Sequence, residues 1–330
     1  MVFCYVSMEF IKTKPLAYPI VLAFLISFLG CTIATKVEET TKTITKTTKQ
    51  ITRDFTMPDD DMKRKIGILD FENKSLHKSG DFQKVFHKGL PDYMNEKCEG
   101  LIVAGHDSGG PMRLLTEPPR LESGAIDNYA LAVIGRKLGF NAIVTGSLED
   151  IRIVDELKGV LWTKDTHHFI KVFVRVEVYD TLTGTKLLDD TLEREVEIDD
   201  LEYQLIRQDA ALRLPDLNET LNHLLADIGD NICYALKGQR WHGYITEIQD
   251  DTYVISSGRQ VGLELGNTLE VYDSSRIIEG VGGRRFFTPG LKIGEIQIIS
   301  ITDDQAEATL TSGDAIKEGS TVQRKKKGLF

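Results

Sequence analysis

Ser108 is the first residue of this chain whose surroundings invite a chemical reading. It stands in His106-Asp107-Ser108-Gly109-Gly110-Pro111. A serine nucleophile needs a neighbouring base, an orienting acid and backbone N–H groups for the oxyanion. A Gly/Pro loop between a strand and a helix explains the segment more simply. Asp165, His167 and His168 are residue types that hold metals. Adjacent histidines on a strand face opposite ways, and in the hairpin loop expected here they are solvated. The acids around Leu188–Asp200 could pair as general acid and base, but alternating charge on a solvent-facing strand accounts for them. No Gly-x-x-x-x-Gly-Lys-Ser/Thr loop occurs, and Gly280-Val281-Gly282-Gly283 lacks a strand-to-helix setting. The expectation is a non-enzyme with no catalytic residue, no metal and no cofactor.

Cys31 has a clearer context. Lys12 and Lys14 precede an apolar run from Leu16 to Leu29, which ends at Gly30-Cys31. A basic flank, a short apolar stretch and a small residue before the cleavage point describe a secretory signal over residues 1–30. The run is shorter than the roughly 20 residues of a membrane span, and Pro19 interrupts it. Either Met1 or Met8 can serve as the start. A cysteine just after the small residue resembles a bacterial lipobox, which implies acylation of the Cys31 thiol. Thr32 in the next position then implies sorting to the periplasmic face of the outer membrane.

Residues 31–64 read as a tether. Ten threonines fall between Thr32 and Thr56, with Lys36, Lys42, Lys46, Lys49 and Arg53 among them. Such low complexity cannot bury a core. The chain as a whole has 41% hydrophobic and 27% charged residues in 330, a globular composition long enough for about two domains. Its net charge of −10, with no basic domain, argues against a nucleic-acid partner. Beyond Cys4 and Cys31 only Cys98 and Cys233 remain. Buried free thiols are the expectation for these two. A disulfide, which an oxidising compartment permits, is the alternative.

From residue 65 the pattern alternates. Ile66–Phe71 and Leu101–Ala104 suit buried strands. Phe82 to Met94, Ile126 to Leu138 and Leu217 to Ile232 repeat at helical spacing. Asn141–Ser147, Ile151–Trp162, Phe169–Tyr179 and Lys186–Ile198 read as strands, the last two joined at Asp180–Gly184. This is an α+β domain, a mixed α/β sandwich, over 65–238. Short strands punctuated by turn residues then indicate a small all-β barrel or sandwich over 239–325, followed by a tail at 326–330.

Three segments carry a resemblance: Ile66-Gly67-Ile68-Leu69-Asp70-Phe71-Glu72-Asn73-Lys74-Ser75, Leu138 to Ser147, and Val178 to Gly184. Together they resemble the fold shared by the TolB N-terminal domain, the curli secretion lipoprotein CsgG and the middle domain of the flagellar assembly protein FlgT. The stretch from Gly243 is similar to the FlgT C-terminal domain through Gly258, Gly262, Leu263, Gly266, Leu269, Val271, Tyr272 and Gly319. The Ser108 segment also resembles the nucleophile motif of trypsin-like proteases, although His106 replaces its first glycine. The envelope resemblance implies a lipid-anchored periplasmic scaffold or assembly factor, with a flagellar association among its readings. A CsgG-like secretion pore and an activator of peptidoglycan synthesis are the alternatives. The implied partners are the membrane, through the lipid, and envelope proteins of unknown identity, with homo-oligomerisation left open. Residues 276–290, rich in glycine, are expected to project irregularly. Arg284, Arg285, Phe286 and Phe287 in that loop are the candidate partner contacts, because arginine and aromatics carry interface energy.

Overall fold

Apolar runs too short for helices form the centre of the α/β part. In the computed structural model, which describes residues 62–76, 81–104, 117–160, 164–208 and 215–325, strand β1 spans Arg64–Ile68 and a short β2 spans Glu72–Asn73. Helix α1 (Asp81–Lys97) leads to β3 (Leu101–Ala104), and helix α2 (Asn128–Leu138) leads to β4 (Ala142–Lys158). Strands β1, β3 and β4 are parallel, and α1 and α2 supply the crossovers that parallel pairing needs. Then β5 (Asp165–Asp180) and β6 (Lys186–Ile198) extend the sheet antiparallel. The sheet order is β3-β1-β4-β5-β6. Helices α3 (Asp200–Gln208) and α4 (Pro215–Leu236) follow.

Strand alternation sorts the two faces of this sheet. Val144, Val172, Val174, Val176 and Val178 join Phe82, Phe86 and Leu90 of α1 and Leu224 and Ile228 of α4 in one core. Ile143 and Tyr179, each one position along, face the other way and pack on Leu131 of α2. Asp127 caps α2 by accepting from the backbone N–H groups of Tyr129 and Ala130, and Gly139 ends it with φ 73°.

The remaining strands are β7 (Gly243–Gln249), β8 (Thr252–Ile255), β9 (Thr268–Tyr272), β10 (Ile277–Glu279), β11 (Arg285–Phe287), β12 (Lys292–Ile301), β13 (Ala306–Gly313) and β14 (Thr321–Arg324). Six of them close a barrel in the order β12-β13-β8-β7-β14-β9, while β10 and β11 form a separate hairpin. Closure removes the free edges that a two-sheet sandwich would leave. Trp241, Leu269, Val271, Ile296 and Val322 fill the interior. The chain is thus α+β with a β-barrel.

Several expectations need correction. Met62 is buried in the barrel core, and the Lys63 N–H donates to Val261 O at 2.9 Å. The buried Arg64 side chain donates to Leu236 O at 2.6 Å and Gln239 O at 3.1 Å at the end of α4. Residues 62–64 therefore belong to the folded body, because helix-end carbonyls without a partner recruit a cation. In place of separate strands over 141–147 and 151–162, one strand, β4, runs from Ala142 to Lys158 through an irregularity between Leu148 and Asp150. His167 and His168 lie on β5, not in a loop, with His168 stacked on Tyr203 at 3.7 Å.

For Cys98 and Cys233, free thiols are the first expectation and a disulfide the alternative. The structure joins them in a disulfide with Cα atoms 5.5 Å apart. The disulfide is the alternative named for the two remaining cysteines, and helical spacing alone did not show that these faces of α1 and α4 meet. The signal segment, Cys31, the tether through residue 61, the His106–Pro111 segment and the tail at 326–330 lie outside the described residues. Among the described residues, no helix is long and apolar enough to cross a membrane, and no cluster of His, Cys, Asp and Glu could hold a metal.

Candidate functional site

The described residues of sheet and barrel belong to one compact unit, and their junction is a buried polar cluster. Thr181, fully buried after β5, bonds through Oγ1 to Phe140 O, to Asn141 O at 3.0 Å and to the Tyr244 hydroxyl at 2.9 Å. Both carbonyls can only accept, so Thr181 donates its proton to them and Tyr244 donates to Thr181. Asn141 donates from Nδ2 to His242 O at 2.9 Å and accepts from the Lys65 N–H at 3.0 Å. Arg136 of α2 donates to Thr181 O at 2.9 Å and Leu182 O at 2.6 Å. Its guanidinium stacks 3.4 Å from the Phe287 ring centre and lies 5.2 Å from that of Tyr244.

Burial dominates the electrostatics of this cluster. It pushes the Arg136 pKa down, the His242 pKa down and the Tyr244 pKa well above the ordinary phenol value. Gly139 lets α2 end directly against the barrel, since a Cβ there would overlap Ser256 O. The polar groups of the cluster answer one another, and a cleft of about 370 Å³ borders it at Arg136, Tyr244 and Phe287. The role of the cluster is to hold sheet and barrel together.

A different polar region opens on the same face of the sheet beyond α2. It is a cleft of about 440 Å³. Thr145 and Ser147 of β4 and Arg175, Glu177 and Tyr179 of β5 line its floor. Register places Thr145 opposite Glu177 and Ser147 opposite Arg175. Asp70, just beyond β1, and Glu72 of β2 line one end, where parallel strands finish and α/β proteins commonly place ligands. Asn128 of α2, Arg120 and the β10–β11 hairpin complete the wall.

Most charges around the cleft are matched. Lys74 pairs with Glu149 at 3.0 Å, Arg120 with Glu72, Arg175 with Asp189 at 2.8 Å, and Lys186 with Glu177 at 2.5 Å. Burial pulls against ionisation of Glu149 and Asp189. Hydrogen bonds from Ser147 and Lys74, and from Lys186 and Arg175, nevertheless leave both carboxyls below their ordinary pKa. Burial pushes the Tyr179 phenol up to about 12. Asp70 holds the ring of His87 at 2.6 Å on the rim. The arrangement can orient a polar ligand by hydrogen bonds and charge.

The four candidate contact residues divide by strand alternation. Arg284 and Phe286 line the cleft. Arg285 and Phe287 turn the other way onto α2, with the Arg285 guanidinium 4.1 Å from the ring centre of Tyr129 and Phe287 stacked on that ring at 4.9 Å. The segment is consequently a docked hairpin and not an irregular projection. Its register, Ile277 with Phe287 and Glu279 with Arg285, is antiparallel, and Phe287 is 8% exposed. Sequence reading missed Asn128 and Thr145 as site residues. The polar Asp70-Phe71-Glu72-Asn73-Lys74 run at the end of a buried strand was a signal pointing to this end of the sheet.

No protein-family model matches the chain, and no curated protein matches it. Solved structures overlap it in part. A hypothetical protein from Chlamydia trachomatis is 15% identical with a TM-score of 0.35, over 53% of this chain and 98% of that one. A lipoprotein from Neisseria meningitidis is 10% identical with a TM-score of 0.30, over 52% of this chain and 99% of its own. TolB from Acinetobacter baumannii is 11% identical with a TM-score of 0.26, over 81% of this chain and 61% of its own. At these scores the likenesses assign no activity, and the resemblance to FlgT and CsgG gains nothing from them.

Proposed function

We propose that this chain is a non-enzymatic lipoprotein of the bacterial envelope, acylated at Cys31 and held at the periplasmic face of the outer membrane. On this reading its folded body is a scaffold or assembly factor that binds rather than converts. The observation that carries it is the continuity of parts: an apolar run ending at Gly30-Cys31, a Thr/Lys tether, and a body starting at Met62 with its first residues locked into the barrel. A tether of about 30 residues can reach roughly 100 Å when fully extended. The disulfide suits an oxidising compartment. Within the body, the cleft with Arg284 and Phe286 on its wall is the recognition face.

A flagellum-associated role is the finer reading that the FlgT resemblance adds. Pore formation has less support. A membrane strand alternates apolar and polar faces, whereas Lys171 of β5 is tied to Glu156 at 3.2 Å and Glu195 at 3.3 Å within an ordinary sheet. Membrane fractionation of Cys31→Ala tests the anchor. Release of a folded, soluble body or stalled processing is expected, and wild-type maturation with unchanged membrane association overturns it. Crosslinking in intact envelopes followed by pull-down tests the scaffold, and its partner should be lost in Arg284→Ser with Phe286→Ser.

A further inference from the structure

The β10–β11 hairpin has one edge docked and one edge open. The Thr288 N–H donates to Arg276 O at 3.0 Å and the Gly280 N–H to Arg284 O at 2.7 Å. Hydrogen-bonded and non-bonded pairs alternate along an antiparallel ladder, so Arg276, Ile278 and Gly280 turn their backbone groups toward β11. Those of Ile277 and Glu279 turn away from it. The same alternation sends the groups of Arg285 and Phe287 outward from β11, and there the fold answers them. Arg285 O accepts from Asn128 Nδ2 at 2.6 Å, and the Phe287 N–H donates to Thr183 O at 2.9 Å. On β10 the outward groups of Ile277 and Glu279 have no backbone partner among the described residues. Such an edge is a template for one more strand.

A cleft adjoins the open edge. It is the space of about 370 Å³ between α2 and the barrel, where Tyr129, Val133, Ile277 and Phe287 supply apolar walls. Ile277 stands opposite Phe287 in the register, so both side chains lie on the hairpin face turned to α2, and Ile277 remains 41% exposed. Ile278, Val281 and Leu291 leave further apolar surface exposed around the hairpin. On the lining of the cleft, Arg136, Lys137 and Lys317 outnumber Asp273 and Glu318, which favours an acid over a cation beside the apolar group that enters. An apolar cleft alone does not say what fills it. The strand edge beside it does, because main-chain pairing selects an extended segment and a pocket selects among its alternate side chains. A second copy of this chain suits the edge less, since both copies would carry a net charge of −10.

We infer that β10 accepts an added strand: an extended segment of a partner protein pairs with Ile277 and Glu279 and places one apolar side chain, flanked by an acid, in the cleft between α2 and the barrel. The inference rests on reading the folded body as a module that binds, and it names the form of partner that this body takes. The surface is separate from the cleft lined by Arg284 and Phe286, which lies on the other face of the hairpin.

Panning a random peptide library against the full chain in detergent tests it, followed by fluorescence anisotropy of the enriched peptides. These should carry an apolar residue among β-formers with an acid nearby, and Ile277→Pro should weaken them by about tenfold or more, as loss of a main-chain hydrogen bond and an apolar contact does. Proline at 277 removes an outward N–H and spares the inward pairs of Ile278 and Gly280. A second arm needs no variant. N-methylation of an enriched peptide at alternate residues should abolish binding in one register and leave it in the other. Enrichment of no peptide, equal binding to wild type and Ile277→Pro, or indifference to N-methylation overturns the proposal. A dimer of the full chain in sedimentation that Ile277→Pro dissolves gives the edge to a second copy and overturns it too. Release of Cys31→Ala from membranes and loss of the crosslinked partner in Arg284→Ser with Phe286→Ser do not depend on this result, so the scaffold reading and the added strand can fail separately.

Discussion

Thr181 and Thr145 lie at opposite extremes of the same chemistry. Both are buried threonines, 0% and 4% exposed, attached to neighbouring strands of one sheet. Thr181 bonds to two carbonyls and a phenol and sits where barrel and sheet join. The Thr145 hydroxyl has no partner, in a residue that lines a cleft. A hydroxyl that completes a closed network contributes to stability, whereas one left unanswered costs stability until something binds. The contrast separates a polar residue that ties two parts of this molecule together from one whose burial is left uncompensated.

The largest effect should come from the shared foundation of both regions. Replacing Cys98 and Cys233 together by Ala should lower unfolding free energy by about 2–5 kcal/mol, since the bond closes a long loop. Denaturant melts with and without reductant measure it. An equal stability in both forms would mean the helices carry both regions without the bond.

Next is the comparison itself, made with one substitution at two places. Thr181→Val should cost about 2–3 kcal/mol, because the Tyr244 hydroxyl and two carbonyls lose their partner in a dry site. Chemical denaturation would read this directly, and a cost under about 0.5 kcal/mol would make the junction network incidental.

A smaller effect follows from His242 in the same junction. Burial depresses its folded pKa from the ordinary 6.5, so the unfolded chain takes up the proton first as pH falls. The junction's full stability is present above about pH 6.5 and declines below it, by at most about 1.4 kcal/mol per pH unit for one proton. His242→Gln should flatten that part of the stability–pH curve. A wild-type curve already flat between pH 6.5 and 5 would contradict the sign.

Thr145→Val should have the smallest effect, within about 0.5 kcal/mol of zero or slightly stabilising, since it removes an unanswered hydroxyl without changing shape. A loss as large as that of Thr181→Val would show that Thr145 is structural and dissolve the contrast.

Much of the scaffold was legible residue by residue. The alternating valines of β5 announced a strand with one buried face, Gly139 marked the end of α2, and Gly/Asn/Asp punctuation outlined the barrel strands. The candidate loop was only half legible. Alternation requires that two adjacent phenylalanines face opposite ways, but the sequence does not say which one meets Arg136. Helix α3 and β14 escaped notice because each is short, and their apolar residues find neighbours only in the folded chain.

By itself, the sequence determined what local physics controls: the apolar run before Cys31, the low-complexity Thr/Lys composition that follows it, the order of most strands and helices, and the hydrophobic face of each. Tertiary structure alone decided that Cys98 meets Cys233, that Met62 enters the barrel and that Arg136 lies between two rings. It also decided that one threonine is answered while another is not. Hydrogen-bond partners 41 and 63 residues apart in the chain, Phe140 with Thr181 and Thr181 with Tyr244, depend on how whole elements pack, and nothing in their local spacing records the meeting.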